Sequence, residues 1–91
     1  METAQTYTGP RHLRPIEQDT VDALCQRVAS IANCNSSIIR EMRGFKRDRT
    51  PWDAMRLANA LDFFKLDPAL VSDLDELAQD RGGLTPLDRE A

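Results

Sequence analysis

The 91-residue chain has little of what builds a metal centre or a disulfide framework. Its single histidine, His12, sits in a proline-flanked stretch without neighbouring ligand types, and Cys25 and Cys34 stand nine positions apart with no CxxC pair. A zinc site or disulfide scaffold is therefore not expected, and the two thiols read as buried and reduced. No run approaches the roughly 18 apolar residues of a membrane span, and "METAQTYTGPRHLRP" lacks the apolar block of a signal peptide, so a cytoplasmic protein is expected. Nor does any stretch show the alternation of a half-buried strand. The lone histidine has no clear catalytic partner and the carboxylates fall mostly on exposed faces, so we expect no enzyme, no catalytic residue, no cofactor and no small-molecule ligand.

What remains is a chain that is 41% apolar and 30% charged, enough for one small domain with a modest core. The net charge of −3 hides a strong asymmetry. Residues 40–56 carry six basic groups against three acidic ones, whereas residues 57–91 carry three basic against eight acidic. A Debye length of about 8 Å in physiological salt lets a nearby phosphate respond to the local basic cluster more than to the net charge.

The spacing predicts an all-α fold, a small four- to five-helix bundle. Residues 1–16, with Pro10 and Pro15, read as an extended or disordered arm; residues 17–81 form the domain and residues 82–91 a tail. Val21, Leu24, Cys25, Val28, Ile31 and Ala32 repeat at helical spacing, giving a first helix from Glu17 or Thr20 to Ala32 that stops at Asn33. A second helix starts from Asn35 as N-cap, with Ser36 and Ser37 as alternatives one register on, buries Ile38, Ile39 and Met42, and stops at Gly44. The loop "FKRDR" follows. Thr50 caps a third helix with Pro51 in its first turn, burying Ala54, Leu57, Ala58, Leu61 and Phe64. Trp52, beside Met55 at the edge of that helix, reads as core, with a partner contact as the alternative. Asp67-Pro68 opens a fourth helix carrying Leu70, Val71, Leu74, Leu77 and Ala78 and ending at Arg81-Gly82-Gly83.

Two helices joined by a tight turn, the second short and polar outside, meet the requirements of a helix-turn-helix. In the twenty-residue frame from Cys25 to Gly44, the fifth position must be small so that the second helix crosses close, and it is Ala29. The ninth must bend, and it is Asn33; Val28, Ala32, Cys34, Ile39 and Met42 fill the inward positions.

With those positions filled, "VASIANCNSSIIREMRGFKRDRTPWDAMRLANALDF" resembles the helix-turn-helix repressors of the lambda-repressor/Cro (XRE) superfamily, small phage CII-like regulators included. The likeness covers roughly residues 20–78. It departs from the family pattern in having Asn33 where glycine is usual, and in that the separate upstream helix is absent or fused into the 17–32 helix, since Pro15 blocks an earlier start.

The resemblance implies a sequence-specific regulator of transcription, a repressor in the first instance, whose second helix enters the major groove of double-stranded DNA. Asn35, Ser36, Ser37, Arg40 and Glu41 would then meet base edges, Arg40 donating two hydrogen bonds to guanine and Glu41 accepting from a cytosine amine. Arg43, Lys46, Arg47 and Arg49 would hold phosphates. Arg11, His12 and Arg14 could reach along the duplex or belong to a disordered tail. Specific binding by so small a unit usually requires two copies on a near-palindromic site, so a homodimer is expected, with Leu70, Val71, Leu74 and Leu77 as the interface. Each side chain also has a plainer use: an exposed arginine is ordinarily just solvated, the serines can serve the N-cap alone, and the fourth helix can be simple core. The rival reading is a helical interaction module without DNA binding, such as an antitoxin or assembly adaptor.

Overall fold

The structure is a computed structural model and describes residues 15–31 and 35–84. It is all-helical, with four helices and no strand among the described residues: α1 (Gln18–Ala29), α2 (Ser36–Asp48), α3 (Pro51–Phe63) and α4 (Pro68–Gly82). None of them is long and apolar enough to cross a membrane.

α3 is the hub, packing against α2 on one side and α4 on the other. Its start follows from sequence: the Thr50 hydroxyl accepts from the Asp53 amide at 3.1 Å and donates to the Asp53 carboxylate at 2.7 Å, while Pro51 occupies the first turn, where no amide donor is missed. Ala54, Leu57, Ala58 and Leu61 are fully buried, as their spacing predicts. Phe64 and Trp52 are not. Phe64 is the C-cap and 41% exposed, and Trp52 lies on the outer side of α3 at 59% exposure, so neither contributes the core contact expected of it.

The connection from Phe64 to Asp67 turns the chain back on α3, with Lys65 and Asp67 in left-handed backbone and the Leu66 amide bonded to the Leu61 carbonyl at 2.9 Å. Asp67 caps α4 through the Leu70 amide at 3.1 Å, and Gly83 ends it at φ 66°, where glycine carries no Cβ penalty. Leu70 and Leu74 are fully buried, Val71 nearly so and Leu77 partly. The expected dimer interface on α4 is thus spent on the chain's own core, because α4 turns its apolar side to α3. α1 is fastened to α4 by Arg27–Asp73 and Arg81–Glu17, both at 2.7 Å and solvent-facing, worth about 0–1 kcal/mol each.

α2 departs most from the expectation. Instead of stopping at Gly44 it continues to Asp48, and Arg49 takes the left-handed C-cap conformation, φ 54°. The reason is Phe45, fully buried seven residues after the fully buried Ile38 and completing an inner stripe with Met42. Burying a phenylalanine is worth about 1.5–3 kcal/mol, more than the roughly 1 kcal/mol that glycine costs inside a helix. The left-handed Arg49 is held from both directions: its amide donates to the Phe45 carbonyl at 2.8 Å, its carbonyl accepts from the Ile16 amide at 2.7 Å, and its guanidinium donates to the Ile16 carbonyl at 3.2 Å. Ile16 itself is fully buried, which corrects the reading of residues 1–16 as one extended arm: the last of them is core. α1 is also shorter than expected, ending at Ala29 before a turn at Ser30; Ala32, Asn33 and Cys34 lie outside the described residues.

Two substitutions test this account by urea denaturation. Gly44→Ala should stabilise the protein by about 0.5–1 kcal/mol, because the position is helical and an added Cβ would meet only Arg47 and Asp53 atoms at an ordinary 3.9 Å. A helix that ended there in left-handed backbone would instead be destabilised. Ile16→Ala should cost about 2–5 kcal/mol, whereas a residue of a free arm would cost nothing.

Candidate nucleic-acid interface

α2 begins at a well-formed cap: the Asn35 side chain accepts from the Ile38 amide at 3.1 Å, so its carbonyl oxygen is committed to the backbone and only its amide group is left to donate outward. Ser36 and Ser37 follow in the first turn, both exposed. Arg40 is exposed one turn further on and forms no ion pair among the described residues. Glu41 is half-buried on the flank.

The continuation past Gly44 decides how the cationic side chains line up. With Ile38, Met42 and Phe45 as the inward stripe, helical geometry puts Ser36, Arg40, Arg43 and Arg47 on the opposite face, within a sector of about 60°. The inward stripe expected from sequence included Ile39, which is only half-buried, and that setting would have turned Ser37 and Glu41 outward with Arg40. The observed rotation moves Glu41 to the flank and, with the helix continuing past Gly44, brings Arg47 into line with Arg40 and Arg43. Three arginines, exposed and spaced three and four residues apart, form a row about 10 Å long on a helix that carries four basic against two acidic groups.

Arg43 and Lys46 have no ion-pair partner among the described residues, while Arg47 forms a two-pronged contact with its neighbour Asp48, Nε to Oδ1 and Nη2 to Oδ2, each at 3.1 Å. Hydrogen bonding to Asp48 raises the Arg47 pKa further above its already high ordinary value, and the same hydrogen bond holds the Asp48 carboxyl below its own. Both groups stay ionised at neutral pH. The pair is solvent-exposed, so an anion can compete with Asp48 for Arg47. Arg49 is different: its side chain is half-buried and donates from Nη1 to the Ile16 carbonyl, so part of its donor set already serves the C-cap.

Like charges at three- and four-residue spacing destabilise a helix by about 0.2–0.5 kcal/mol per pair, and the Arg40–Arg43 and Arg43–Arg47 pairs both have it. Lys46 and Arg47 recover part of this by lying in the last turn, where the helix dipole favours cations. A row of arginines pointing away from the core, in which only Arg47 has a carboxylate neighbour, is a surface that a polyanion would stabilise. The clue available in the sequence was Phe45, whose seven-residue distance from Ile38 signals a helix running through Gly44.

α1 meets α2 around Cys25, whose buried Sγ lies 4.0 Å from the Met42 carbonyl oxygen. Val28, on the same side of α1, is fully buried. Ala29 is exposed, so it is not the close-crossing point assigned to it. Arg11, His12 and Arg14 lie outside the described residues. Comparison with known proteins offers no further guide: no family model fits the chain, and no curated protein or solved structure matches it.

Burial pushes the Cys25 thiol above its ordinary pKa, with Lys46 opposing and Asp22 adding to the rise. In a Cys34→Ser background, Cys25 should therefore react with a disulfide reagent at mildly alkaline pH on the order of tenfold or more slowly in the folded protein than in urea. Equal rates would mean that α1 and α2 do not enclose it.

Proposed function

We propose that the protein is a sequence-specific double-stranded DNA-binding regulator of transcription, in which α1 and α2 act as a helix-turn-helix and α2 lies in the major groove. The observation that carries this reading is the alignment of Arg40, Arg43 and Arg47 on the face of α2 opposite Ile38, Met42 and Phe45. A groove about 12 Å wide admits a helix only if the exposed side of that helix is free of neighbouring elements along its length. α2 meets this condition over the whole arginine row.

Within the row the roles divide by position. Ser36 and Arg40 stand at the N-terminal half of α2, the end that reaches deepest into the groove in helix-turn-helix docking, so Arg40 reads a guanine edge and Ser36 or Ser37 bonds a base or phosphate. Arg43, Lys46 and Arg47 lie toward the other end, where the flanking backbones pass, and hold phosphates; Arg47 exchanges Asp48 for a phosphate on binding. Asn35 donates its free amide group to the backbone at the helix start. Glu41, on the flank, tolerates only a base or cation that approaches from the side. Repression follows if the bound site overlaps a promoter, and two copies on a near-palindromic operator supply the base contacts that one lacks.

A second reading has its own observation: Trp52 and Phe63 are large aromatics left on the surface, as in an interaction module of the antitoxin or adaptor type. The two readings separate in a selection of random or genomic duplexes with purified protein. Enrichment of one site is expected, with affinity falling steeply as salt rises. Arg40→Ala should lose about 1–3 kcal/mol of discrimination at one base pair, whereas Arg43→Ala and Arg47→Ala should each weaken all duplexes alike and reduce the salt slope by about 1. No enriched site, and no difference among the three variants, would overturn the regulator reading.

A further inference from the structure

The outer face of α3 carries two large exposed rings. Trp52, Arg56, Asn59 and Phe63 follow one another at four, three and four residues, which sets them in a single row on the outer side of the helix, about 16 Å from end to end. Trp52 is 59% and Phe63 76% exposed, and Phe63 is stacked edge-on against Phe64 with ring centres 4.9 Å apart, so the row ends in an aromatic pair. Between the aromatics, Arg56 is held loosely by Asp53 at 3.9 Å with its side chain 65% exposed. Nothing among the described residues covers these two large rings.

The spacing reads the same in both directions. A two-fold axis perpendicular to α3 through the middle of the row would set Trp52 of one copy against Phe63 of the other, twice, and Arg56 against Asn59, twice, with no like charge directly opposite. Each arginine then faces a neutral amide, so the centre of the row is polar without setting cation against cation. We propose that this face is the site where a second copy of the chain docks, α3 against α3 in antiparallel pairing. At about 150–250 Å² for a buried aromatic side chain, the exposed fractions of Trp52, Phe63 and Phe64 offer roughly 350 Å² per copy. A stable dimer needs about 800 Å² per copy, and weak ones less than about 600. The three rings thus supply around half of the contact, and Arg56 and Asn59 extend it to a modest, reversible interface rich in the residue types that dominate binding energy.

The pairing supplies the two copies that the DNA reading calls for, yet neither its observations nor its test involves DNA, so either can fail without the other. Sedimentation velocity across the micromolar range should show the full chain in monomer–dimer exchange. Trp52→Glu and Phe63→Lys, chosen because an acid near the start of α3 and a base near its end suit the helix dipole, should each raise the dissociation constant about tenfold or more with unchanged circular dichroism. Mixing the two variants should restore dimers, since the mixed pair has one intact Trp52–Phe63 contact and one Glu–Lys contact. The alanine variants Trp52→Ala and Phe63→Ala should each weaken dimers alone, and their mixture, which keeps one Trp52–Phe63 contact but has no Glu–Lys contact, should recover less than the charged mixture. A wild-type chain monomeric throughout, dimers indifferent to these changes, or a charged mixture that stays monomeric would each overturn the pairing.

Discussion

The burial of Phe45 is the contact on which the rest of the arrangement depends. It draws α2 through Gly44 at the cost of a glycine in a helix interior, and so sets which residues of α2 face the core and which face out. It also moves the chain reversal to Arg49, a residue that pays about 1–2 kcal/mol to stand in left-handed backbone. That conformation is tolerable because three hydrogen bonds converge on it, two of them exchanged with Ile16. The buried Ile16 in turn closes the core beside the start of α1.

From that constraint follows the character of the surface. A helix that stopped at Gly44 would carry Arg40 and Arg43 and leave Lys46 and Arg47 on a separate basic loop. The longer helix merges them into one row, Ser36, Arg40, Arg43 and Arg47, rigidly spaced because all four share a backbone. Rigid spacing favours recognition of a regular polyanion over a flexible one, since the side chains then lose less freedom on binding. Asp48 tempers the row by engaging Arg47, leaving Arg40 and Arg43 as its unpaired centre.

α3 has two jobs that its sequence keeps apart. The inner side carries Ala54, Leu57, Ala58 and Leu61, small and branched residues that let α2 and α4 pack against it. The outer side carries rings at both ends, and the four apolar residues of α4 first considered for pairing are consumed by that inner side. An outward aromatic row is thus the one large apolar feature among the described residues that intrachain packing leaves over.

Much was determined by the sequence alone, because it rests on local chemistry. The caps at Asn35, Thr50 and Asp67, the prolines opening α3 and α4, the glycine closing α4 and the burial of Ala54, Leu57, Leu61, Leu70 and Leu74 all depend on neighbours within a turn or two. The exposure of Arg40 was legible for the same reason. What only the tertiary structure decided were the matters in which two signals competed: whether Gly44 or Phe45 governed the end of α2, whether Trp52 and Phe64 turned in or out, and whether Ile16 belonged to an arm or to the core. Those outcomes turn on whether a partner surface exists for a given side chain, and that surface is made by residues distant in the chain: Arg49 for Ile16, and the packed interior beneath α2 for Phe45. Periodicity shows that a stripe is apolar; only packing shows how far the helix bearing it runs and toward which neighbour it turns.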